Sequence, residues 1–138
     1  MERLKERLGE AERALATLLE LLIVPDRSAV QRDAAILRFA YTFEAVWKTA
    51  QRHLAAREGI DAGSPKQCIR ASRRVGLLTD EEAEAALRMA DDRNLVVHIY
   101  HEALARHIHA RLPGHATALG AWLRGMQQRP DDDTVSRR

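Results

Sequence analysis

Arg93 and His98 lie in the run Asp92-Arg93-Asn94-Leu95-Val96-Val97-His98-Ile99-Tyr100, where a fixed cation, an imidazole and a phenol crowd together among apolar neighbours. A guanidinium holds a phosphate bidentately at any pH. An imidazole moves protons near neutrality. These two groups are the equipment of a metal-independent endoribonuclease. The RNA 2′-OH would attack the adjoining phosphorus and His98 would take its proton. A second imidazole, from a paired subunit, would protonate the departing 5′ oxygen. Arg93 would offset the charge growing on the phosphoryl oxygens. The products would be a 2′,3′-cyclic phosphate and a 5′-hydroxyl, and DNA, lacking the internal nucleophile, would resist.

Helix geometry constrains this chemistry. On one continuous helix Arg93 and His98 stand about 140° apart around the axis and about 7.5 Å along it, too far round to share one phosphate. The sequence predicts two remedies. The helix breaks at Asn94, whose side chain competes for backbone bonds, and two subunits pool their residues about a twofold axis. A plainer reading stands beside this one. Arg93 pairs with Asp91, Asp92 or Glu102, His98 is a satisfied interface histidine, and Tyr100 packs in a core.

The elements that must position these groups are helical. Alanine, leucine, glutamate and arginine dominate, and no stretch alternates as a strand does. The expected fold is all-α, an up-and-down bundle of four to five helices over residues 1–128, with a disordered polar tail over 129–138. Helix one spans roughly 3 to 23, with Leu4, Leu8, Ala11, Leu15, Leu18 and Leu22 in one stripe. Ser28 and Gln31 form a capping box for helix two, roughly 29 to 57, whose face carries Ile36, Phe39, Phe43, Trp47, Ala50 and Leu54. Glu44 and Lys48 stand one turn apart in the favourable order. Ser64, Pro65 and Gln67 open helix three, which reaches about Val75 before Gly76. Thr79 and Glu82 open helix four, ending near Arg93 or Asn94. A fifth helical region follows from about Tyr100, with an interruption near Pro113-Gly114.

Composition narrows the classes. The 138 residues suffice for one domain with a core. No apolar run is long enough to span a membrane, and the mixed-charge Met1–Arg7 segment is not a signal-peptide core, so a cytoplasmic location is expected. Cys68 is alone, which excludes an internal disulfide. A net charge of +2 is low for a binder of long nucleic acid but leaves room for a small local RNA site. Lys66, Arg70, Arg73 and Arg74 give helix three a basic edge, either a solvated face or an RNA track. The histidines of the last third fit no strong zinc pattern and should be mostly solvent-facing, so no metal and no cofactor are expected. No glycine-rich phosphate loop precedes Asp91-Asp92, so nucleotide transfer would have to come from a partner protein.

Three stretches together resemble a known family. Phe43-Glu44-Ala45-Val46-Trp47-Lys48 fits a Phe-Glu-x-x-Trp-Lys signature on helix two. Ser64-Pro65-Lys66-Gln67 with Cys68-Ile69-Arg70-Ala71 and then Gly76-Leu77-Leu78 fits a third helix and its turn. Asp92 to Glu102 fits an Arg-Asn-x3-His-x-Tyr-x-Glu core. Over residues 4 to about 127 the chain resembles the HEPN superfamily, specifically the nucleotidyltransferase substrate-binding proteins that include HepT-like toxins. The resemblance implies a HEPN-like helical bundle that dimerises, and a separately encoded minimal nucleotidyltransferase as partner. In toxin–antitoxin members the bundle is an RNase toxin and the nucleotidyltransferase its antitoxin, able to transfer AMP to the tyrosine of the motif. Carried over, catalysis falls on Arg93 and His98, modification on Tyr100, and support on Asn94, Tyr100 and Glu102. The alternative the family offers is a non-catalytic subunit that binds substrate for the nucleotidyltransferase. One departure is visible: members often read Arg-Phe-Glu early in helix two, where this chain has Arg38-Phe39-Ala40.

Overall fold

The computed structural model describes residues 2–128, and the tail expected to be disordered lies outside them. Among these residues the chain forms an all-α up-and-down bundle of five helices without a strand: α1 (Glu2–Leu22), α2 (Ala29–Glu58), α3 (Pro65–Arg74), α4 (Asp80–Leu95) and α5 (Glu102–Gln127), with one 3-10 turn (Val96–His98) before α5. No described helix is long and apolar enough to cross a membrane.

Caps set the boundaries. Ser28 accepts from the Gln31 backbone amide while the Gln31 side chain returns to the Ser28 amide. Thr79 and Glu82 repeat that box at α4. Ser64 caps α3 with Pro65 in the first turn. Gly59 ends α2 at φ 66°, a left-handed conformation that glycine adopts without a Cβ penalty.

α2 is the central element and packs against α1, α3 and α5, while α4 packs against α3 and α5. Its Ile36, Phe39, Phe43, Val46, Ala50 and Leu54 are buried, and the two phenylalanine rings lie 6.4 Å apart. Trp47, expected on that face, is only half-buried at its edge. The fully buried indole is Trp122 on α5, whose Nε1 donates to Ser72 Oγ at 2.9 Å and so joins α5 to α3. Gly125 admits a close backbone approach: a Cβ there would lie 2.2 Å from the Leu77 carbonyl oxygen.

One expectation is corrected. α5 does not break at Pro113-Gly114 but runs through it. A proline inside a helix forfeits one backbone bond and crowds the preceding turn. Leu112, His115, Ala116 and Leu119 are buried on either side of Pro113, so packing carries the helix past it. At the missing glutamate of Arg38-Phe39-Ala40, Arg38 turns to α1 instead. It donates to the Thr17 carbonyl at 2.6 Å and reaches Glu20 at 3.5 Å.

Candidate functional site

α4 keeps its regular turn through Leu95, one residue past the expected break at Asn94, and then tightens. The amide of Ile99 donates to the Val96 carbonyl at 3.3 Å, and that of His101 to the His98 carbonyl at 3.0 Å. Arg93 faces back toward α2, where its guanidinium is hydrogen-bonded and ion-paired to Glu44. Glu44 also lies 3.7 Å from Lys48, the pairing expected along the helix. The carboxylates suggested for Arg93 are engaged elsewhere. Asp91 takes Lys66 at 2.6 Å, Asp92 takes Arg111 and His115 at 2.7 Å each, and Glu102 takes Arg106 at 3.2 Å and Arg32 at 3.6 Å.

His98 and Asn94 are exposed, and Tyr100 is 74% exposed rather than packed in a core. The Tyr100 hydroxyl lies 3.5 Å from His98 Nδ1, and its ring sits 4.5 Å from that of His101. Among the described residues no hydrogen bond or ion pair joins Arg93 to His98. Asn94 lines a shallow cleft of about 220 Å³ with Phe43, Ser64, Pro65, Lys66 and Ala90. The segment is therefore an exposed imidazole–phenol edge beside a cation already neutralised by a carboxylate.

Of the α3 cations, Lys66 pairs with Asp91 and Arg73 with Asp80 at 2.7 Å, while Arg70 is exposed. The described residues hold no group of three or more His, Cys, Asp or Glu side chains that could bind a metal.

The polar cluster that sequence reasoning passed over lies between α4 and α5. Asp92 is 3% exposed and His115 6%. The neutral imidazole donates from Nε2 to Asp92 Oδ2 at 2.7 Å, and Arg111 donates to Oδ1 of the same carboxylate at 2.7 Å. Phe39 stacks on the His115 ring with centroids 5.0 Å apart. Burial lowers the His115 pKa from its ordinary 6.5, the bond and charge of Asp92 oppose that fall, and Arg111 and Arg88 add to it. His115 thus departs from the solvent-facing expectation. Its spacing from Leu112 and Leu119, on the apolar face of α5, was the available signal.

A five-helix bundle with polar clefts and an exposed edge after α4 is the class of protein that this fold and surface define. The family described as nucleotidyltransferase substrate binding protein like matches residues 6–128, and the chain belongs to it. A protein of known crystal structure from Thermus thermophilus is 54% identical, superposes with a TM-score of 0.82, and is matched over 86% of this chain and 99% of its own. A Haemophilus influenzae structure, described as revealing the fold of a substrate binding domain of a nucleotidyltransferase, is 20% identical with a TM-score of 0.73 over 88% of this chain and 99% of its own; that likeness speaks to fold alone. No curated protein matches.

These matches overturn the expectation of an endoribonuclease toxin. The family that spans the domain is described by substrate binding for a nucleotidyltransferase. The HEPN and toxin assignment, and with it the catalytic role of Arg93 and His98 on RNA, gives way to the substrate-binding alternative. In the structure Arg93 is paired with Glu44 on α2 and, among the described residues, is not joined to His98.

Proposed function

We propose that this chain is a non-catalytic subunit that binds substrate for a separately encoded nucleotidyltransferase. The observation that carries the reading is the family match across residues 6–128, which we take as a single binding domain. The name borne by the Haemophilus influenzae structure agrees with it. The sequence itself has no glycine-rich phosphate loop ahead of Asp91-Asp92, so nucleotidyl transfer falls to the partner.

Within this reading the edge formed by Asn94, His98 and Tyr100 faces the nucleotidyltransferase, with Arg93 and Glu102 holding its two ends through Glu44 and through Arg32 and Arg106. Tyr100 is the residue presented for modification: transfer of AMP from ATP to its exposed phenol oxygen would release pyrophosphate and the phenol proton. A second copy of the chain covers the outer stripe of α2. Val30, Leu37 and Tyr41 recur at helical spacing on one face and are 80%, 60% and 44% exposed.

The test is reconstitution with a minimal nucleotidyltransferase from the same genome. The two proteins should co-elute in size-exclusion chromatography, and the chain alone should leave RNA intact. Cleavage by the isolated chain that disappears in a folded His98→Ala variant would overturn the proposal, as would failure of the two proteins to associate.

A further inference from the structure

The described surface has a concave basic site away from the edge that follows α4. A cleft of about 710 Å³ opens where the stretch after α2 meets α3 and the start of α4. Ile60 and Ala62 contribute its apolar wall, and Arg70, Arg73 and Arg74 its cations. Residues 70, 73 and 74 share one face of α3, so three guanidinia point toward the same space.

Several arginines among the described residues have carboxylate, carbonyl or imidazole partners. Arg27, Arg32, Arg38, Arg93, Arg106 and Arg111 are engaged in this way. Arg70 and Arg74 have no hydrogen bond or ion pair among the described residues and are exposed. Like charges one turn apart repel and weaken a helix. The dipole at the C-terminal end of α3 favours Arg73 and Arg74, but Arg70 lies a turn earlier and gains little from it. Arg73 is tied to Asp80 at 2.7 Å, with side chains 57% and 80% exposed. A surface pair of that kind is held weakly and exchanges readily for a stronger anion. Asp61 is the other carboxylate at the rim, so the cleft carries a net positive charge when empty.

We infer that this cleft binds the phosphate chain of a nucleotide-sized ligand, with Arg70 and Arg74 as its first anchors and Arg73 joining after release from Asp80. Arginine suits the task because its planar fork meets two phosphate oxygens at once. The volume suits a small molecule. Three cations on little more than one helical turn match a short oligophosphate better than the long, evenly charged track of a polymer. The inference names the substrate class of the substrate-binding reading and rests on it.

Isothermal titration calorimetry with inorganic tripolyphosphate and with ATP, at low and moderate salt, tests it on the full chain. Both probes should bind, ATP at least as tightly as tripolyphosphate. The Arg70→Gln/Arg74→Gln double variant should lose at least tenfold in affinity for both, with unchanged helix content by circular dichroism. Arg13→Gln, at an exposed position on α1, serves as the control and should bind like wild type. No heat with either probe, or equal losses in the double variant and the control, would overturn the inference. So would a short single-stranded RNA that binds far more tightly than ATP through the same arginines. The double variant should still co-elute with the nucleotidyltransferase, so a failed cleft and a failed partner assignment give different results.

Discussion

Replacing Asp92 with alanine tests the buried cluster that joins α4 to α5. The carboxylate accepts two bonds of 2.7 Å, one from His115 and one from Arg111. A hydrogen bond to a charged group is worth about 1.5–3 kcal/mol. The Arg111 side chain is 45% exposed and regains water when its partner is removed, so its share is small. The His115 side chain is only 8% exposed and is left with a dry donor, a penalty of about 1–3 kcal/mol. The expected loss is about 3 kcal/mol, or about 10 °C in Tm for a domain of this size. Urea denaturation read by tryptophan fluorescence measures it. A loss below about 1 kcal/mol, or full additivity of Asp92→Ala with His115→Ala in a double-mutant cycle, would refute the coupling. The pH dependence follows from the same histidine. Its folded pKa is depressed below 6.5, so the unfolded chain binds its proton first. The stability contributed by neutral His115 is fully present above about pH 6.5 and is lost as pH falls toward the depressed folded value. His109, lowered by burial and then by Arg27 and Arg32, acts in the same direction.

Three further outcomes are expected. Gly125→Ala places a methyl 2.2 Å from the Leu77 carbonyl, forces α5 away from the turn after α3, and should destabilise by about 1–3 kcal/mol in urea melts; a neutral substitution would show that this contact yields freely. The Cys68 thiol, fully buried and pushed up to about 11 by that burial, should react with a disulfide reagent only at the rate of opening, so labelling as fast as in unfolded protein would contradict the packing. Leu37→Glu should convert a dimer to a monomer in light scattering without loss of helix, whereas a wild-type monomer, or a dimer indifferent to the change, would remove the α2 stripe as the contact.

The helices were legible because their signals are local. Ser28-Gln31, Ser64-Pro65 and Thr79-Glu82 are capping patterns complete within four residues, and α2, α3 and α4 begin where those patterns place them. Pro113 misled because the packing that overrides it comes from distant elements: Leu112 and His115 meet neighbours that periodicity cannot name. The partners of Arg93 were hidden for the same reason. Asp91, Asp92 and Glu102 are near in sequence, but the carboxylate that reaches it is Glu44, 49 residues away on α2. His115 escaped notice among the other histidines, although its position between Leu112 and Leu119 marks a buried face. Spacing showed which residue types could do chemistry, whereas the choice between a reactive cation and a paired one depended on which helix lay opposite.

α2 shows how one element serves several faces at once. Its 30 residues, roughly 45 Å of helix, present Phe39 and Phe43 to the core and Val30, Leu37 and Tyr41 to the outside. Glu44 lies at the boundary between those two faces and reaches Arg93 across to the end of α4. That pair sits in the last turn of α4, just before the exposed edge of His98 and Tyr100. Both side chains are about one-third exposed, so the pair acts more as a geometric pin than as a store of stability. A pinned edge, an unpaired stripe on α2 and a cleft on α3 with two free guanidinia place three dissimilar surfaces around one core. Such a division suits a subunit that must hold a second copy, a catalytic partner and an anionic ligand without performing the transfer itself.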